Sequence, residues 1–119
     1  MSASAVIRMP DENKGVMLRG HPMVFLVTGD DTKHTSMFDW TIPAGFATGR
    51  HVHRVQEETF YVLEGELTMC MDDENVQVGL GSALEIEPGT VHQAKNESGA
   101  DVRFLVVSVP PSHGDRVNR

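Results

Sequence analysis

Cysteine, tryptophan and tyrosine occur once each in 119 residues. The lone Cys70 excludes an internal disulfide and removes any cysteine-based zinc cluster. Long apolar runs are missing too. The richest stretches, Met23 to Val27 and Phe104 to Val107, fall far short of the roughly 20 apolar residues that span a bilayer. The opening MSASAVIRMPDENKG lacks the apolar core of a secretory signal. Positive charge is scarce: 10 Lys plus Arg face 17 Asp plus Glu, a formal net charge of −7. A sequence-independent nucleic-acid binder needs a basic face to displace counterions, and an anionic membrane surface would repel this chain. The expectation is a soluble, cytoplasmic, single-domain protein whose partner is neither nucleic acid nor membrane.

Helical signals are equally poor. No segment of ten residues repeats apolar positions at three and four, and 11 Gly plus 6 Pro interrupt the chain often. Short β-branched and aromatic runs recur instead: 23–28, 36–42, 58–63, 67–71, 75–78, 83–86, 91–95 and 102–109. Turn residues separate them, among them Gly29-Asp30-Asp31, Pro43-Ala44-Gly45, Asp72-Asp73 and Pro88-Gly89. Many short strands at regular spacing predict an all-β sandwich or barrel. Residues 1–15 read as a loose arm, with Val16-Met17-Leu18 able to add an edge strand, and 16–109 form the barrel. In the tail, 110–119, Pro110 and Pro111 remove two ladder donors, so the sheet is expected to stop there, with the tail either disordered, the favoured reading, or folded over a barrel mouth.

Chemistry concentrates in GFATGRHVHRVQEETFYVLEG, residues 45–65. His51 and His53 are two apart, so an extended backbone points both to one side. Alternation sets Glu58, Phe60 and Val62 on one face and Glu57, Thr59 and Tyr61 on the other, and a bend at 54–56 can bring Glu58 to the histidines. His92, after the Pro88-Gly89 turn, can add a third imidazole. Three neutral nitrogens and a carboxylate oxygen suit one divalent transition metal: Fe, Mn, Ni, Cu or Zn. A His-x-His pair by itself is common on solvated strands, with Arg50 and Arg54 alongside; the added Glu58 and His92 make the pattern specific.

That pattern resembles the cupin superfamily. Its first motif, G(x5)HxH(x3–4)E(x6)G, is matched by Gly45, His51, His53, Glu58 and Gly65. Its second, G(x5)PxG(x2)H(x3)N, is matched by Gly81, Gly89, His92 and Asn96, with Glu87 in place of the motif proline and Pro88 one position later. The resemblance implies a double-stranded β-helix, or jelly roll, with His51, His53, Glu58 and His92 as metal ligands. Glu58 rather than Glu57 is chosen because six residues separate it from Gly65. Gly45, Gly65, Gly81 and Gly89 would serve turns of positive φ. The resemblance also implies a homodimer, with the N-terminal region as an edge-strand contact.

Other residues carry blander readings. Met23, Met37, Met69 and Met71, with Phe25, Phe38, Trp40, Phe60 and Phe104, suit an apolar interior, and Phe25, Phe38, Trp40, Phe60, Met69 and Phe104 are the candidate substrate pocket. So few polar inward positions disfavour a sugar or phosphate ligand. His21, His34 and His113 read as solvated loop histidines, Cys70 as a small buried hydrophobe, Asp72-Asp73-Glu74 as a hairpin turn and Arg103 as an outward ion-pair partner. The functional expectation, by resemblance to quercetinase-like cupins, is a metal-dependent dioxygenase acting on an aromatic, enolic or polyketide-like small molecule, with Glu58 as ligand and base. The alternatives are a non-redox cyclase or isomerase of natural-product biosynthesis, and a cupin that binds a small molecule without catalysis.

Overall fold

The structure, a computed structural model, describes residues 5, 7–9, 14–18, 21–111 and 116–118, with backbone alone at 14–18, 21 and 116–118. Its elements are β1 (Lys14–Leu18), β2 (His21–Val27), β3 (Ser36–Ile42), β4 (His51–His53), β5 (Glu57–Glu64), β6 (Leu67–Met71), β7 (Glu74–Val78), β8 (Ala83–Ile86), β9 (His92–Lys95), β10 (Val102–Val109) and β11 (Arg116–Asn118). No helix among the described residues is long and apolar enough to cross a membrane.

Two antiparallel sheets face each other. One runs β1-β2-β3-β10-β5-β8 and the other β11-β4-β9-β6-β7. Period-two alternation decides what each strand turns inward. On β10, Val102, Phe104, Val106 and Ser108 are buried while the residues between them are more open. On β5 the buried set is Glu58, Phe60 and Val62, and Tyr61 stands 42% exposed on the outer face. The expected strand runs therefore hold, and so does the face assignment of Glu58 against Tyr61.

Register stacks these inward residues in layers. Phe104 lies opposite Trp40 and Val62, Val106 opposite Phe38 and Phe60, and Ser108 opposite Ser36 and Glu58. Below the first layer, Ile42 and Val102 are fully buried, as are Leu67 and Met69 on the facing sheet. The sandwich is thus filled at one end by aliphatic and aromatic side chains. Toward the other end the layers turn polar, and Glu58 and Ser108 close the column. Burying each large apolar side chain contributes about 1.5–3 kcal/mol, so the filled end anchors the fold and the polar end is free to carry chemistry.

Turns follow the sequence signals. Gly45, Gly65, Gly81 and Gly89 all adopt positive φ, and Asp72 does so in the two-residue turn between β6 and β7. Asn96 is 1% exposed and binds four groups. Its Nδ2 donates to the Ile42 and Ala100 carbonyls, and its Oδ1 accepts from the Ser98 amide and hydroxyl. Arg103 pairs outward with Asp39 at 2.6 Å, as expected. Cys70 is buried on β6.

Both ends differ from expectation. The edge strand forms, starting at Lys14, and the arm before it is tethered where Arg8 meets Asp31 at 2.7 Å. The expected disorder of the tail does not hold at 116–118. The prolines do end β10, but residues 116–118 rejoin a sheet as β11, beside β4. The ladder donors that Pro110 and Pro111 lack are needed only locally, and the chain resumes pairing once past them. Residues 112–115, with the candidate His113, lie outside the described set.

Candidate metal centre

The facing sheets bring four side chains to one point. β4 presents His51 and His53, and β9 presents His92, all from the five-stranded sheet. β5 presents Glu58 from the opposite sheet. His51 and His92 are direct cross-strand partners, their rings 4.2 Å apart. One potential ligand atom from each of the four lies within 4.8 Å of every other. The two turns are locked together as well: the Gly89 amide, just before His92, donates to the His53 carbonyl at 2.8 Å.

The protonation pattern follows from the hydrogen bonds. His51 Nδ1 lies 2.7 Å from the Gly49 carbonyl and His92 Nδ1 lies 2.9 Å from the Thr90 carbonyl. A carbonyl only accepts, so each Nδ1 carries the hydrogen and a neutral ring keeps its lone pair on Nε2. Yet His92 Nε2 faces Glu58 Oε1 at 3.2 Å, and His53 Nε2 faces the same oxygen at 3.1 Å. For a neutral His92, that is a lone pair against a carboxylate. A cation must lie between them, either a proton or a metal ion.

Burial alone would raise the Glu58 carboxyl. The hydrogen bonds from His53 and His92, with their charge, outweigh it and hold the group at about 2. Glu58 is therefore an anion at neutral pH although only 7% exposed. Three imidazoles, two with Nδ1–H already committed to the backbone, and one ionised carboxylate form a donor set that fits a first-row divalent metal. A second acidic group, Glu57, Glu85 and Glu87, has two of its three members exposed and contributes nothing to the lining of the cavity beside the four ligands.

A cavity of about 470 Å³ opens beside the four ligands. Met23, Phe25, Phe38, Trp40, Phe60 and Val106 form its apolar wall, Gln56 and Ser108 join the ligands at its polar end, and Thr28, Asp30 and Pro111 also border it. Four of the six expected pocket residues, Phe25, Phe38, Trp40 and Phe60, are in this lining. Phe104 and Met69 are not. Both have 0% exposure and belong to the filled layers beneath, Phe104 packing 5.8 Å from the rings of Trp40 and Phe60. Alternation identifies inward residues correctly, but depth along the strand decides whether an inward residue meets the cavity or the core.

Sequence reasoning did not single out Gln56 or Ser108. Ser108 was legible, because it continues the inward set Phe104 and Val106. Gln56 lies in a bend with no periodicity to reveal it. It is 7% exposed and its Nε2 donates to the Pro110 carbonyl at 3.0 Å. His34 is exposed, as expected, whereas His21 begins β2 rather than sitting in a loop.

Comparison with known proteins agrees with this architecture. Residues 38–108 match the cupin domain family. An uncharacterized protein of Methanocaldococcus jannaschii is 36% identical over 81 residues, 67% of this chain and 65% of that protein. Quercetin 2,3-dioxygenase of Bacillus subtilis is 38% identical over 56 residues, 47% of this chain but only 17% of the dioxygenase. The chain thus spans less than two thirds of either relative. Among solved structures, the polyketide cyclase RemF of Streptomyces resistomycificus superposes with a TM-score of 0.80 at 24% identity, over 97% of this chain and 85% of that one. The two facing sheets are the double-stranded β-helix, and the chain belongs to the cupin family.

Proposed function

We propose that the chain is a metal-dependent dioxygenase acting on an uncharged aromatic, enolic or polyketide-like small molecule. The observation that carries the reading is a buried carboxylate within a three-histidine cluster at one end of an apolar, aromatic-walled cavity. A divalent metal held by His51, His53, Glu58 and His92 supplies Lewis acidity that favours loss of a proton from a substrate hydroxyl or enol.

The chain's own residues do the rest. Phe25, Phe38, Trp40 and Phe60 present ring faces and edges to a flat substrate and fix its orientation. Their apolar surface excludes water from the reacting end. Among the described residues Glu58 is the carboxylate at that end, where it can take the substrate proton. The lining holds no Lys or Arg among the described residues, and its acids are Glu58 and Asp30. A phosphate or a second carboxylate on the substrate would therefore meet no cationic side chain among the described residues, which supports a neutral ligand over a sugar phosphate or small dianion. The volume falls within the roughly 300–1,000 Å³ usual for small-molecule sites.

The test is oxygen uptake by metal-loaded protein across a panel of neutral phenols and enols, beside Glu58→Gln. Uptake that depends on Glu58 supports the dioxygenase. Turnover of the same panel without oxygen uptake assigns a non-redox cyclase or isomerase instead. Tight binding with no turnover of any member assigns a binding module.

A further inference from the structure

β4 carries two of the four ligands and is only three residues long. On one edge it meets β9 through a single pair, His51 with His92. The segment before it is anchored by the Thr48 amide on the Ala94 carbonyl, and its end by the Gly89 amide on the His53 carbonyl. Its other edge would be bare were it not for β11. There the C-terminal strand pairs with every residue of β4: Arg116 with His53, Val117 with Val52 and Asn118 with His51.

The same terminal segment makes a second attachment. Gln56 lies on the bend that leads from His53 to Glu58, and its buried amide donates to the Pro110 carbonyl. Pro111, next in the chain, lines the cavity. The C-terminal segment therefore meets the strand carrying two ligands, the bend leading to the fourth ligand residue, and the wall of the binding space.

We infer that the segment from Pro110 through β11 is a positioning element of the metal centre: β11 and the Gln56–Pro110 clasp hold His51 and His53 in register, so this segment sets metal affinity. This rests on the metal reading above but concerns a segment outside both cupin motifs. Ligand strands without support on one edge sample backbone shifts that carry both imidazoles with them. Loss of groups that orient metal ligands weakens affinity by about 10- to 100-fold.

Two measurements on the same proteins decide it. Zinc affinity is determined by competition with a chromophoric chelator for the full chain, for a chain truncated after Pro111 and for full-length Val117→Pro, which stiffens and interrupts the ladder at its centre. Hydrogen exchange is followed on the metal-free proteins. Truncation and Val117→Pro are expected to weaken zinc binding at least about 10-fold. They should also speed exchange at 51–53 while β6 and β10 keep their protection. Gln56→Ala should weaken zinc binding in the same direction by a smaller factor. If truncation unfolds the barrel, Val117→Pro alone must show both effects. Equal zinc affinity in the full chain and the variants, or unchanged protection at 51–53, overturns the inference and leaves the metal reading intact. If the full chain binds neither zinc nor iron, manganese, nickel or copper, the metal reading itself is overturned.

Discussion

Replacing Gly65 by Ala should cost far more than the same change at Gly45, although both hold a left-handed backbone, with φ of +79° and +83°. At Gly45 nothing lies within 4 Å of an added Cβ, so the conformational cost is the whole effect. That cost is about 1–2 kcal/mol for an L-residue in this region. At Gly65 the new Cβ would stand 2.7 Å from the Asp101 carbonyl oxygen and 3.1 Å from Val102 Cγ2. Neither neighbour can easily withdraw. Val102 is fully buried and starts β10, which is paired on both sides by β3 and β5. Forced overpacking of this kind adds about 1–3 kcal/mol, for a total of about 2–5 kcal/mol. Gly79 supplies the control, with ordinary φ and open space around its would-be Cβ. Ala there should be neutral or stabilise by up to about 1 kcal/mol through the unfolded chain. Urea unfolding reads all three, with Trp40, the single tryptophan and a buried one, as the fluorophore. With slopes of about 1–3 kcal/mol per molar urea, a gap of about 2 kcal/mol between Gly65→Ala and Gly45→Ala separates their midpoints by about 1 M. Equal midpoints would refute the steric argument and leave only the backbone one.

The remaining predictions use other parts of the fold. Asn96→Ala leaves the Ile42 carbonyl and the Ser98 amide without their side-chain partner, while the Ala100 carbonyl keeps the Ser98 hydroxyl, and should cost about 2–4 kcal/mol in urea unfolding; a loss under about 1 kcal/mol would mean that water replaces the amide. Phe104→Ala should cost about 3–5 kcal/mol. Phe25→Ala, whose ring borders the cavity, should cost less than half as much and instead weaken ligand binding, read by quenching of Trp40. In metal-free protein the Glu58 carboxyl is held at about 2 against an ordinary 4.5. A depressed carboxyl stabilises the fold fully above 4.5, and that contribution disappears as pH falls toward 2. Glu58→Gln should therefore flatten the stability–pH curve across that window, and an unchanged curve contradicts the ion pairing. The same variant should retain substantial metal yet lose proton abstraction.

Much of this molecule was legible in its residues because its strands obey period two. Runs 36–42, 67–71, 83–86 and 102–109 coincide with β3, β6, β8 and β10, and the face that carries Glu58 follows from alternation alone. The convergence of His51, His53, Glu58 and His92 needed the cupin resemblance, since four ligands from β4, β5 and β9 meet only through tertiary register. What stayed hidden has physical causes. Phe104 and Met69 point inward like Phe60, but a one-dimensional pattern does not say how deep in the barrel a layer lies. Gln56 acts from an irregular bend, with nothing periodic to mark it. β11 is three residues long and follows two prolines, and its stability comes from an edge of β4 roughly sixty residues away, beyond the reach of local propensity.

The central claim is that His51, His53, Glu58 and His92 hold one divalent transition metal. Elemental analysis of protein purified without chelator or a metal-affinity column tests it directly, beside His51→Ala and His92→Ala prepared in the same way. The account predicts about one equivalent of iron, manganese, nickel, copper or zinc per chain, with most of it lost from both variants. Metal absent from the parent protein, or retained in full by either variant, would contradict it.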